Sequence, residues 1–102
     1  MMRATAFLLF LLLLPAQGGW AEDRSYMPNT DVPGQDLIHA GRDFIYLPKP
    51  RPRLCQAYCL SVKECQAWTY LRPPALGPLA TCWLKSSQTG TQSDKCCVSG
   101  IR

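Results

Sequence analysis

The chain lacks most of the groups that enzymes use for chemistry. It contains one histidine, His39, in a strand-like segment with no nearby cysteine or serine arrangement. The acidic residues are scattered, no pair has obvious acid–base spacing, and no glycine-rich loop is present to hold a phosphate. Acid–base and nucleophilic catalysis both need such groups within reach of each other. We therefore expect no catalytic site and no cofactor. We also expect no nucleic-acid partner.

Cysteine is absent from the first half of the chain and concentrated in the second. The six cysteines all lie between residues 55 and 97, at positions Cys55, Cys59, Cys65, Cys82, Cys96 and Cys97. A zinc site is the competing interpretation, but the sequence has no Cys-x-x-Cys pair and its histidine is remote. In an oxidising compartment such cysteines form disulfides. We therefore expect disulfides and no metal.

The N-terminus has the layout of a secretory signal peptide. Arg3 gives a positive start, residues 6–14 are all apolar, and small residues follow. We expect cleavage after Ala21, with Gly18 as the main rival. A run of nine residues is far below the ~20 that span a bilayer, and a buried N-terminal helix is the less favoured alternative. No second apolar run follows, so we expect a secreted, extracellular protein without a membrane span.

Cleavage after Ala21 leaves 81 of the 102 residues, with a net charge of +3. Chains of this size rarely stabilise themselves by burial alone and commonly add two to four disulfides. Residues 22–30 are polar and turn-rich, and we expect them to be flexible. Residues 31–102 then form one small domain.

The hydrophobic pattern of this domain predicts one helix and several short strands. Leu54, Tyr58 and Val62 recur at four-residue spacing, as do Cys55 and Cys59, which predicts a helix over 52–62. Residues 72–79 and 86–95 are proline-rich or polar and are predicted to be loops. The predicted strands are 36–39, 43–47, 66–71 and 81–85.

Four sequence blocks in the second half resemble the PAN/apple domain family. They read Leu-Cys-Gln-Ala-Tyr-Cys from residue 54, Cys-Gln-Ala-Trp-Thr-Tyr from 65, Cys-Trp-Leu-Lys from 82 and Cys-Cys-Val-Ser-Gly from 96. The resemblance covers residues 31–102. It implies a disulfide-stabilised α+β fold with one helix packed on an antiparallel sheet of about five strands. It also implies a module that binds proteins or carbohydrates and catalyses nothing.

The resemblance also implies a disulfide pattern. Carried onto this chain, it pairs Cys55 with Cys82 and Cys59 with Cys65. Cys96 and Cys97 are then left over. Adjacent cysteines can close an eight-membered ring, stay reduced or pair with another chain, and these three alternatives remain open.

Two groups of residues are candidates for binding. The first is the basic run Lys49, Arg51 and Arg53, with Arg42 as a possible neighbour. The family's acidic start of the helix is replaced here by this run. Interleaved prolines hold it extended, which lowers the entropy lost on binding an anionic glycan or acidic protein. The alternative is a solvated, proline-rich connector.

The second group is aromatic and comprises Trp68, Tyr70 and Trp83. Strand alternation places Trp68 and Tyr70 on one face. If Cys82 points towards the helix, Trp83 lies on the opposite face of the sheet. These side chains either pack in the core or form an exposed platform that stacks on sugars or protein groups.

Together these observations favour a secreted, non-catalytic binding module for an extracellular protein or carbohydrate. The alternative from another class is a small secreted cationic effector, either a host-defence peptide or a protease inhibitor. The low net charge and the absence of a long cationic amphipathic helix weaken the membrane-active version. An inhibitor would need an exposed rigid loop, for which 72–79 is the candidate.

Overall fold

The computed structural model of the chain describes residues 23–38 and 41–102. The expected signal peptide, its cleavage point and His39 lie outside the described residues.

One helix packs on a five-stranded antiparallel sheet, which confirms the expected α+β class. The strand order is β1-β5-β3-β4-β2, so β3 lies at the centre. In chain order the elements are β1 (Met27–Asp31), β2 (Ile45–Tyr46), α1 (Pro52–Ser61), β3 (Ala67–Leu71), β4 (Thr81–Lys85) and β5 (Gln92–Ile101).

Helix α1 begins and ends within one residue of the predicted range. Arg51 occupies the N-cap position and has an extended backbone. Pro52 follows in the first turn, where a missing N–H costs nothing. No side chain caps the start and no acidic residue stands in the first turn. At the other end Val62 returns to an extended backbone and its N–H donates to the Cys59 carbonyl.

The core lies between α1 and the face of the sheet that the helix covers. Trp68 stands opposite Leu84, and Tyr70 stands opposite Cys82, across the β3–β4 pair. Directly opposed residues share a face, so all four point towards the helix, and each is at most 3% exposed.

The N-terminal segment differs from the expectation of flexibility over 22–30. Residues 27–31 form strand β1, which pairs with β5 through Met27 opposite Ser99 and Thr30 opposite Ser93. Strand β5 accordingly starts at Gln92, inside the stretch predicted as a loop. Both stretches are polar and lack alternation, so their strand conformation depends on pairing with each other, which local sequence does not reveal.

The two strands predicted between 36 and 47 are shorter than expected. Asp36 forms only an isolated bridge with Lys85, and β2 contains only Ile45 and Tyr46, opposite Cys82 and Thr81. Both segments lie along the same edge of β4, one at each end of it. Strand β4 has only five residues, so the two segments share one short edge.

A buried polar network anchors the segment that leaves β1. The Val32 N–H donates to the Thr69 hydroxyl over 3.4 Å, and the Ser99 hydroxyl donates to the same oxygen over 2.9 Å. Thr69 in turn donates to the Asp31 carboxylate over 3.3 Å. Because Thr69 lies on the face opposite the helix, this network ties the segment from Asp31 to the back of the sheet.

Candidate functional site

The disulfides position the segment that carries the basic run. Cys55 is bonded to Cys82 and Cys59 to Cys65, the pairs that the resemblance implies, each with a Cα–Cα distance of 5.3 Å. Cys96 and Cys97 are bonded to each other, so no free cysteine exists in the described part of the chain. The bridge to β4 fastens α1 to the sheet, and the residues that precede α1 are held with it.

Lys49 and Arg51 lie on a short connection between β2 and α1. The Leu47 N–H donates to the Ala80 carbonyl over 3.0 Å and fixes the start of this connection, and Leu47 itself is buried. The Arg51 N–H donates to the Lys49 carbonyl over 2.8 Å, so the backbone turns tightly at Pro50. Both basic side chains are exposed, and neither forms an ion pair with any residue that the structure describes.

Arg53 is placed differently from Lys49 and Arg51, although the sequence groups the three together. Its guanidinium lies 3.9 Å from the centroid of the Tyr26 ring and donates to Gln56 Oε1 over 2.8 Å. Gln56 in turn donates to the Ser25 carbonyl over 3.1 Å. Arg53 therefore fastens the helix to the segment that precedes β1.

The carboxylate of Asp23 belongs to the same N-terminal segment. The backbone N–H and the hydroxyl of Ser25 both donate to Asp23 Oδ1, at 3.0 and 2.8 Å. These hydrogen bonds, with a smaller contribution from the charge of Arg53, hold the pKa of Asp23 below its usual value. Arg53 thus has a carboxylate close enough to interact with it.

Of the two alternatives for Trp68 and Tyr70, core packing and an exposed platform, the structure shows core packing. They are 2% and 3% exposed, and their rings pack under helix α1. Burial raises the pKa of the Tyr70 phenol, an effect that the charge of Arg72 partly offsets. Neither ring is accessible to a ligand.

Trp83 lies on the opposite face of the sheet, as alternation from Cys82 predicts. Its ring stacks on Phe44 with centroids 4.9 Å apart, and Phe44 meets the edge of Tyr46 at 5.2 Å. The guanidinium of Arg42 lies 6.0 Å from the Tyr46 centroid. Arg42 thus belongs to this aromatic cluster. Phe44 and Tyr46 were missed as site residues, although their two-residue spacing already placed them on one strand face.

Lys85 closes one side of the aromatic cluster. Its ammonium lies 5.7 Å from the Trp83 centroid and forms an ion pair with Asp36 at 2.7 Å. Lys85 is largely buried, and its ion pair with Asp36 neutralises its charge within the fold. Arg42 supplies the exposed positive charge of this cluster.

Within 23–38 and 41–102, no group of three or more histidine, cysteine, aspartate or glutamate residues could hold a metal ion. In the same ranges no helix is both long and apolar enough to cross a membrane.

In the described residues a small sheet with one helix bridged to it defines a disulfide-stabilised α+β domain. A family model described as PAN domain matches residues 30–85, more than half of the chain, and the chain therefore belongs to the PAN domain family. The match ends with β4 and leaves out β5 and the Cys96–Cys97 bridge. No curated protein and no solved structure gives a significant match. PAN domains are generally non-catalytic modules that bind proteins or carbohydrates.

Proposed function

We propose that this chain is a secreted, non-catalytic module that binds an extracellular protein or an anionic glycan, with Lys49 and Arg51 as its main contacts. The observation that carries the proposal is the exposure of both side chains on a connection whose two ends are fixed. Leu47 anchors one end in the core, and helix α1 anchors the other through the Cys55–Cys82 bridge.

The local charge supports an anionic partner. Residues 44–63 contain four basic residues and no acidic one. Attraction between exposed charges is screened beyond ~8 Å at physiological ionic strength. Only acidic residues close to Lys49 and Arg51 would weaken the attraction of these side chains for an anion, and residues 44–63 contain none. Pro48, Pro50 and Pro52 restrict the backbone, which reduces the entropy lost when the two side chains engage a ligand.

Arg53 and Arg42 add positive charge but are not proposed as the main contacts. Arg53 adds to the positive field at the helix start, but its guanidinium is already stacked on Tyr26. Arg42 lies beside Tyr46 and adds an exposed positive charge to the aromatic cluster. Secretion is supported by the apolar leader in the sequence and by the three disulfides.

Heparin, used as a polyanionic probe, tests the basic contacts. A K49A/R51A variant should elute from a heparin column at clearly lower salt than the wild type. The matched control is K63A/K95A, which removes the same charge from two exposed lysines elsewhere on the domain. Equal elution of the wild type and K49A/R51A, or an equal shift in both double variants, would show that the segment is only a connector.

A further inference from the structure

Helix α1 has one side that nothing in the described part of the chain covers. Its inward side carries Cys55 and Cys59, both bonded to other cysteines. A second side is held to the N-terminal segment through Gln56, which donates to the Ser25 carbonyl. The remaining side borders an open groove of about 280 Å³.

The groove runs between the helix and the connection that carries Lys49. Its lining residues are Pro48, Leu54, Ala57, Tyr58 and Ser61. The four helical ones lie at i, i+3, i+4 and i+7 from Leu54, which places them along one face of the helix. All but Ser61 present mainly apolar surface, and Tyr58 is 37% exposed.

The groove is lined by uncharged residues, and two cations are close to it along the chain. Lys49 directly follows Pro48, and Arg51 is the residue at the start of the helix. Both walls come from the stretch 44–63, which has no acidic residue. An apolar cleft with cations close by along the chain is complementary to an apolar side chain flanked by carboxylates on another protein.

We infer that this groove, together with Lys49 and Arg51, is the docking site for an acidic protein segment that inserts one large apolar side chain between Pro48 and Tyr58. The inference rests on the proposed function and specifies its partner as a protein. A sugar ring in this cleft would bury hydroxyl groups against apolar walls that offer them few hydrogen bonds, at a cost in free energy. An apolar side chain meets the same walls without that cost and provides the kind of anchor that dominates protein interfaces.

Synthetic peptides provide the probe. The first has a central leucine between two pairs of glutamates, the second has serine in place of leucine, and the third has glutamines in place of glutamates. Each is titrated into the disulfide-intact protein labelled with ¹⁵N, and amide shifts are followed by NMR. The acidic leucine peptide should perturb residues 48–61 and bind about tenfold or more tightly than the serine peptide, since burial of a leucine contributes that much. It should also bind more tightly than the glutamine peptide.

Two helix variants locate the contact. Y58S removes one wall of the groove and should abolish binding of the acidic leucine peptide. L60S removes an exposed leucine of the same helix that does not line the groove, and it should leave binding unchanged. Preserved dispersion of the amide spectrum checks that each variant is folded.

The inference is overturned if the leucine and serine peptides bind alike, if the glutamine peptide binds as tightly as the acidic one, if Y58S binds as the wild type does, or if no peptide perturbs residues 48–61. These outcomes are separate from failure of the proposed function, which is read from heparin elution of K49A/R51A. Y58S should retain the heparin elution of the wild type because it removes no charge.

Discussion

The guanidinium of Arg53 lies 3.9 Å from the centroid of the Tyr26 ring and joins the start of helix α1 to the segment before β1. Tyr26 in turn packs against Trp68, with ring centroids 5.9 Å apart. Arg53 is therefore linked through Tyr26 to a core aromatic residue. Within a basic run that looks uniform in the sequence, Arg53 has a structural role, whereas Lys49 and Arg51 form no ion pair with any residue in the described part of the chain.

Replacement of Arg53 with alanine should lower the free energy of unfolding by about 0.5–1 kcal/mol, the size of a cation–π contact at an exposed site. Replacement of Arg51 with alanine should change it very little, because that side chain is exposed and stacks on no ring within residues 23–38 and 41–102. Urea unfolding of the two single variants measures the difference. Equal losses of stability would contradict the division of roles within the basic run.

The three disulfides should contribute unequally to stability. The Cys55–Cys82 bridge spans 27 residues, whereas Cys96 and Cys97 are adjacent. In the chain-entropy model a loop of the first size contributes about 3.5 kcal/mol, and a bridge between neighbours restricts the unfolded chain very little. The C55S/C82S variant should thus be far less stable than C96S/C97S, or should fail to be secreted. Unfolding curves and secreted yields of the two double variants test this. A larger loss in C96S/C97S would refute it.

The raised pKa of Tyr70 predicts a specific loss of stability in alkali. Burial favours the neutral phenol, so the folded state holds this proton more tightly than the unfolded state does. Stability therefore falls as pH rises above the ordinary value of 10.0 towards the higher pKa of the folded state. Y70F should remove this part of the decline, as measured by urea unfolding between about pH 8 and about pH 11. Y46F, which alters a half-exposed phenol, should keep it, and the prediction is wrong if Y70F and the wild type decline in parallel.

The leader sequence predicts where the secreted protein begins. When the full chain is expressed in secreting cells, N-terminal sequencing of the medium should show Glu22 as the first residue, or Gly19 if the rival site after Gly18 is used. Arginines in place of Leu11 and Leu12 should keep the protein inside the cell because they interrupt the apolar run. Secreted material that starts at Met1 would contradict the assignment.

Much of the fold follows from short-range patterns. Four-residue spacing of apolar residues and cysteines predicts α1 to within one residue of its end. Alternating aromatic residues predict β3 and β4, because both strands are buried and carry their own pattern. Strand β1 and the start of β5 carry no such pattern. Strand β1 is held by its pairing with β5, and β5 lies between β1 and β3 and pairs with both.

Some features of the candidate site can also be predicted from the sequence, and others cannot. Exposure of Lys49 and Arg51 is predictable, since basic residues between prolines have no reason to be buried. The burial of Trp68 and Tyr70 cannot be predicted from alternation alone. Alternation indicates that two residues share a face but not which face the helix covers. The groove beside Tyr58 is also invisible in the sequence, since Pro48 and the helix meet there only after the chain turns at Pro50.

The sequence by itself determined the helix, the two central strands and, through family resemblance, two of the three disulfides, because these depend on local spacing or on a pattern shared with relatives. Tertiary structure alone decided that Arg53 stacks on Tyr26, that Arg42 joins the cluster of Phe44, Tyr46 and Trp83, and that no residue the structure describes covers one side of α1. Each of these depends on which segments lie side by side in space. That is set by packing and strand pairing between residues far apart in the chain, and no local pattern of side chains encodes it.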